Sequence, residues 1–242
     1  MFLHGGWGYE IYPIDRQLAA LSDYHIVIPD RTGYGSSGRL PRQESDFHSR
    51  AADETFGVID ALGLERPVLW GHSDGAVIAL LMALDAPERL GGLILEAAHF
   101  YRDKPSSREF FEVMRDDPDK LGERVASVLA REHGESWRDV MRINGAAWLA
   151  IAAQKSAGAD LYSGRLHGVA LPVLVVHGGR DPRTEPGELD ALRRALPGAA
   201  FAILPDGGHS PHSERATADD VTHLVRRFLA DLASSREQHA AS

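Results

Sequence analysis

The sequence predicts an α/β protein built on a mostly parallel sheet with helices on both faces, and three observations carry that reading. Short apolar runs recur and alternate with helix-like segments. One run, Val68-Leu69-Trp70, leads into Gly71-His72-Ser73-Asp74-Gly75 and then into a stretch rich in helix formers. Two later runs are followed by Asp181 and His209, and in an open parallel sheet active groups gather beyond the carboxyl ends of the strands.

In chain order, helix 14–21 precedes a strand at 25–29, and helix 49–62 precedes a strand at 67–70. Helix 73–86 stops at Pro87 and is followed by a strand at 90–95. Strand 172–177, helix 186–195, strand 200–204 and helix 214–233 complete the alternation. Between them, at 101–167, the strand rhythm ceases and Pro105 and Pro118 mark helix starts, which predicts an inserted helical cap. Within it Trp137, Val140, Met141, Asn144, Trp148 and Ile151 share one helical face. That stripe either packs the cap on the core or lines a pocket; Asn144, which interrupts it, and Trp148 are the candidate substrate contacts. The organisation expected is a core of 1–100 and 168–233, a cap of 101–167 and a flexible tail of 234–242.

A length of 242 residues with 43% hydrophobic and 25% charged content suits one sizeable globular domain with an insertion. Lys+Arg 26 against Asp+Glu 35 gives a net charge of -9, which disfavours nucleic acid and anionic membranes as partners and leaves a small molecule. The absence of cysteine removes disulfides, thiolate catalysis and Cys-bound metals. No signal-like segment and no transmembrane-length apolar run occurs, so a cytoplasmic protein is expected. Nothing in the sequence bears on oligomeric state.

A serine at a tight strand-to-helix turn needs a base, and the base needs an orienting acid. Ser73 is the candidate nucleophile, with flanking glycines where a Cβ would collide with neighbouring chain. His209, after Gly207-Gly208, is the candidate base rather than a surface histidine. Asp181 is the preferred acid; it is also placed to cap a turn before Pro182, and Glu96 at the end of strand 90–95 is the alternative. Gly33-Tyr34-Gly35-Ser36-Ser37-Gly38 formally matches a dinucleotide fingerprint, but Arg39-Leu40-Pro41-Arg42 follows where a helix must open, so no cofactor is expected. His209 and His212 have no third ligand at metal spacing, so no metal is expected either.

The order Ser73, Asp181, His209 and the loops around it resemble the α/β-hydrolase fold superfamily over nearly the whole chain. His4-Gly5-Gly6 is similar to the family's oxyanion loop, and Asp30-Arg31-Thr32-Gly33-Tyr34-Gly35-Ser36-Ser37 to its loop after the fourth strand. Gly-x-Ser-Asp-Gly, Pro87-Glu88-Arg89-Leu90 and His177-Gly178-Gly179-Arg180-Asp181 resemble serine esterases of the biphenyl-hydrolase-like, valacyclovir-hydrolase type. The resemblance implies acyl transfer from a small carboxylic ester or related acyl compound through Ser73, with the backbone N–H groups of Asp74 and Gly6 as oxyanion hole. Trp7 is the alternative donor beside Gly6 and a candidate substrate contact. The Asp74 side chain caps the helix or, by the same resemblance, binds a substrate ammonium.

Only Met1-Phe2-Leu3 precede His4, whereas the family's oxyanion loop follows a full third strand that lies centrally, so an N-terminally truncated version of the fold is expected, with a loosened loop. Two rival readings remain: a non-catalytic ligand-binding or interaction protein on the same fold, and a carbon-carbon bond hydrolase or perhydrolase using the same triad.

Overall fold

The structure, a computed structural model, describes residues 1–154 and 158–240. Among the described residues, five strands pair in parallel in the order in which they occur: β1 (Phe2–Leu3), β2 (Val68–His72), β3 (Gly92–Glu96), β4 (Val173–Gly178) and β5 (Ala200–Leu204). Parallel neighbours require crossovers, and helices supply them. The first crossover holds α1 (Asp15–Ala20) and α2 (Phe47–Ala61), the second α3 (Asp74–Asp85), and the last α7 (Glu188–Ala195). Helix α8 (Ala218–Ala240) follows β5.

Side chains alternate across each strand, so every central strand feeds two cores. Leu3, Leu69, Leu93, Leu95, Val173 and Val175 pack on the face that carries α2 and α3. Phe2, Trp70, Ile94, Leu174 and Val176 pack with Ile14, Leu21, Val221 and Val225 on the face that carries α1 and α8. Covered on both faces, β2 to β4 are nearly uninterrupted apolar runs, which is why they were legible as buried strands.

Two expectations need correction. Residues 25–29 form no strand: only Phe2 N–H reaches Val27 C=O (2.9 Å), because β1 offers two residues on that side and a ladder cannot extend beyond its partner. The short β1 thus lies between β2 and this extended segment. At the other end α8 continues through Ala240, past residue 234, where the tail was expected to begin; residues 241–242 lie outside the described residues.

Between β3 and β4 the chain makes a helical excursion, with α4 (Arg108–Asp116), α5 (Glu123–His133) and α6 (Trp137–Ala153). It leaves and returns at one place: Leu161 N–H bonds Phe100 C=O (2.9 Å) and Arg102 N–H bonds Ala159 C=O (3.0 Å). Residues 155–157 of this stretch lie outside the described residues. The buried Lys104 ammonium pairs with Glu188, whose carboxylate also accepts the N–H groups of Phe100 (2.8 Å) and Tyr101 (3.1 Å), tying the neck to α7. Phe111, Met114, Leu129, Val140, Met141 and Trp148 of these helices belong to the same buried cluster as the sheet face below.

Candidate active site

The turn between β2 and α3 sets the site. Ser73 has φ 54° and ψ -116°, a conformation rarely adopted by an L-residue, and its N–H is held by Glu96 C=O at 2.9 Å. The flanking glycines are sterically required: a Cβ on Gly71 would lie 2.2 Å from Gly75 O, and one on Gly75 would lie 1.9 Å from Leu3 O. Helix α3 is apolar around most of its circumference, as its near-complete burial requires.

The loops after β4 and β5 are packed backbone to backbone, since a Cβ on Gly178 would sit 2.0 Å from Gly208 O. Arg180 N–H donates to Gly207 C=O (2.8 Å), and Glu214 brackets the second loop by accepting from Gly208 N–H (2.6 Å) and Ser210 N–H (3.0 Å). This register brings the three sequence-predicted groups into one chain. Asp181 Oδ1 and Oδ2 each lie 2.9 Å from His209 Nδ1, and His209 Nε2 lies 3.1 Å from Ser73 Oγ. With Nδ1–H donated to the carboxylate, Nε2 is free to accept the serine proton. Burial pushes the Asp181 carboxyl up, but His209, His177 and the Arg183 N–H outweigh it and hold the group well below the usual carboxylate range.

Glu96, the alternative acid, serves another histidine: it accepts from His212 Nδ1 (2.8 Å), His212 N–H (2.8 Å) and Trp70 Nε1 (3.1 Å). His212 in turn donates through Nε2 to Tyr12 C=O (2.8 Å).

The loop at residues 4–8 lies across the elbow. A Cβ on Gly5 would be 3.2 Å from Ser73 Cβ. Among the described residues, the backbone N–H groups of Gly6, Trp7 and Asp74 make no hydrogen bond. Against the expectation of a loosened loop, side chains tie it down: Arg31 Nη2 donates to Gly5 C=O (2.8 Å) and His133 Nε2 to Trp7 C=O (3.0 Å). Glu132 accepts from Tyr9 N–H (2.6 Å) and Glu10 N–H (3.0 Å).

The Asp74 carboxylate does not cap α3. Instead Trp148 Nε1 donates to Oδ1 (3.0 Å) and Asn144 Nδ2 to Oδ2 (3.0 Å), with His48 Nε2 3.3 Å from Oδ1 and Arg31 Nη2 3.9 Å from Oδ2. Burial opposes ionisation, but the His48 hydrogen bond and the charges and donors of Arg31 and Asn144 bring its pKa down to about 2. Both oxygens thus accept from protein side chains in a buried network. Trp148 Nε1 and Asn144 Nδ2 are engaged in that network, and both residues line the cleft.

That cleft, about 640 Å³ and open to solvent, is walled by Trp7, Tyr12, Phe110, Phe111 and Trp148 around Ser73 and His209. Two of its residues escaped sequence reasoning. His99 Nε2 lies 3.3 Å from Ser73 Oγ, and its ring stacks on His209 with centroids 5.8 Å apart. Burial, with Lys104 and His209 nearby, keeps His99 well below the usual imidazole value and so neutral. It stands just past the end of β3, the same strand-end signal that found Asp181 and His209. Arg183, two residues beyond Asp181, is the other.

A parallel sheet bearing a strained serine elbow at its carboxyl edge defines the α/β-hydrolase class. The chain belongs to the alpha/beta hydrolase family, whose model matches residues 1–220. It is 27% identical over 216 residues to the serine hydrolase BPHL of Homo sapiens, covering 85% of this chain and 69% of that protein. It is 30% identical over 225 residues to the putative carbamate hydrolase RutD of Klebsiella pneumoniae, covering 86% of this chain and 82% of that one. A thermophilic esterase from Thermogutta terrifontis, solved with malate bound, matches with a TM-score of 0.69 at 26% identity over 96% of this chain and 89% of that one. No helix among the described residues is long and apolar enough to cross a membrane.

Proposed function

We propose that this chain hydrolyses small carboxylic esters or related acyl compounds in two steps through an acyl-enzyme. The observation that carries the reading is the continuous hydrogen-bonded chain Asp181–His209–Ser73, with Oγ presented at the strained elbow into an aromatic cleft. Ser73 Oγ attacks the carbonyl carbon as His209 Nε2 takes its proton, and Asp181 stabilises the imidazolium. His209 then protonates the leaving oxygen, and water, activated by the same nitrogen, resolves the ester on Ser73. The unpaired N–H groups of Gly6 and Asp74 supply the donors for the tetrahedral oxyanion, each worth about 3 to 4 kcal/mol in such sites. Helices α4 to α6 act as the cap, with Trp7, Asn144 and Trp148 lining the substrate side.

The test is covalent labelling with a fluorophosphonate probe together with turnover of short p-nitrophenyl esters, comparing the native chain with Ser73→Ala. Labelling and turnover are expected in the native chain and lost in the variant. A folded native chain, by circular dichroism, that neither labels nor turns over would favour the ligand-binding reading of the fold.

A further inference from the structure

The cleft contains a cation without an acceptor. Arg183 is half-buried in the same wall as Ser73 and His209, with its Cζ 3.3 Å from the centroid of the Phe110 ring. Phe110 stacks on Trp7 (5.5 Å, 26°) and Trp7 on Tyr12 (6.2 Å, 17°), so the guanidinium ends an aromatic wall. Among the described residues its side chain makes no hydrogen bond and no ion pair. Of the nearby carboxylates, Asp74 is engaged by Trp148, Asn144, His48 and Arg31, while Asp181, whose charge favours the charged guanidinium, directs both oxygens to His209 Nδ1.

A guanidinium drawn out of water without an acceptor is unfavourable, and stacking on one ring face offsets only part of that cost. Stacking also leaves the planar edge and its N–H donors free, which is the geometry that grips a carboxylate with two parallel hydrogen bonds. We propose that Arg183 is an anion subsite, and that the acyl substrate carries a free carboxylate separated from the scissile carbonyl by a short apolar chain lying along the Trp7–Phe110 wall. Only the turnover part of this inference rests on Ser73 being the nucleophile; the binding part does not.

Mono-p-nitrophenyl adipate and p-nitrophenyl hexanoate have the same chain length and leaving group and differ in a terminal carboxylate against a methyl. The native chain is expected to show the higher kcat/KM for the adipate monoester. In Arg183→Gln the ratio of the two kcat/KM values should fall roughly tenfold, mainly through KM, with partial retention in Arg183→Lys. Using a ratio cancels any effect of the lost guanidinium on the adjacent Asp181–His209 pair. An unchanged ratio in Arg183→Gln overturns the proposal. Free adipate titrated calorimetrically into Ser73→Ala provides a readout independent of turnover. Binding there, abolished by adding Arg183→Gln, supports the subsite even if no ester is hydrolysed, which would instead fault the nucleophile assignment. No binding to folded Ser73→Ala overturns the subsite.

Discussion

Two imidazoles face one serine oxygen, and a hydroxyl has a single proton to give. His209, with Nδ1–H committed to Asp181, is the acceptor, so His99 Nε2 must approach Oγ as a donor. In the proposed mechanism, such a donor would stabilise the alkoxide that forms as Ser73 leaves the acyl-enzyme. A neutral hydrogen bond is worth about 1 kcal/mol, so His99→Phe is expected to lower kcat by roughly five- to tenfold. His99→Gln, which restores an N–H, should recover part of the loss; steady-state kinetics with p-nitrophenyl esters and a fluorophosphonate labelling control measure both. Ser73, Asp181 and His209 were readable because each stands at a turn after an apolar strand. His99 obeyed the same rule yet went unread, because no known spacing pairs a second histidine with the elbow, and Arg183 is visible as a site only once Phe110 from α4 is folded over it.

At the scale of the element, the helix that follows Ser73 is positioned by close backbone approach. Placing a Cβ on Gly75 against Leu3 O at 1.9 Å and His4 O at 3.0 Å leaves no flexible atom to yield. Gly75→Ala is therefore expected to destabilise the fold by about 3 kcal/mol or more, a Tm drop on the order of 10 °C for a domain of this size. Differential scanning calorimetry measures it, and a loss below about 1 kcal/mol would show that β1 can move aside. Helices and central strands were legible from apolar period and from Pro and Gly punctuation. The failed strand at 25–29 shows what such patterns omit: its residues suit a strand, but pairing depends on the two-residue length of β1. Likewise the ties of the residue 4–8 loop to Arg31, Glu132 and His133 come from distant segments, and no local pattern announces them.

Across the whole molecule, Asp74 is where α2, α3, α6 and the segment carrying Arg31 converge, so its ionisation is a property of the assembled fold. Its folded pKa of about 2 lies below the usual aspartate value of 3.8. A depressed carboxyl stabilises the fold above its unfolded pKa, and that contribution disappears as pH falls through the folded value. The shift corresponds to about 2 kcal/mol, present at neutral pH and lost between about pH 4 and pH 2. Urea unfolding of the native chain and Asp74→Asn should accordingly show a stability gap above about pH 4 that closes towards pH 2. A gap independent of pH would assign the loss to packing instead. From sequence the Asp74 side chain offered two roles, both local or ligand-directed; the one observed, a junction between α2, α3 and α6, exists only in three dimensions.

The contact between Leu3 O and Gly75 has one more consequence. The peptide unit that launches the residue 4–8 loop also bears on the first turn of α3, which Ser73 caps, so any displacement of β1 is carried to both. Motion of the strand is then common-mode for Ser73 Oγ and the Gly6 N–H, and their separation is referenced to covalent geometry and one van der Waals contact instead of to the accumulated play of the sheet.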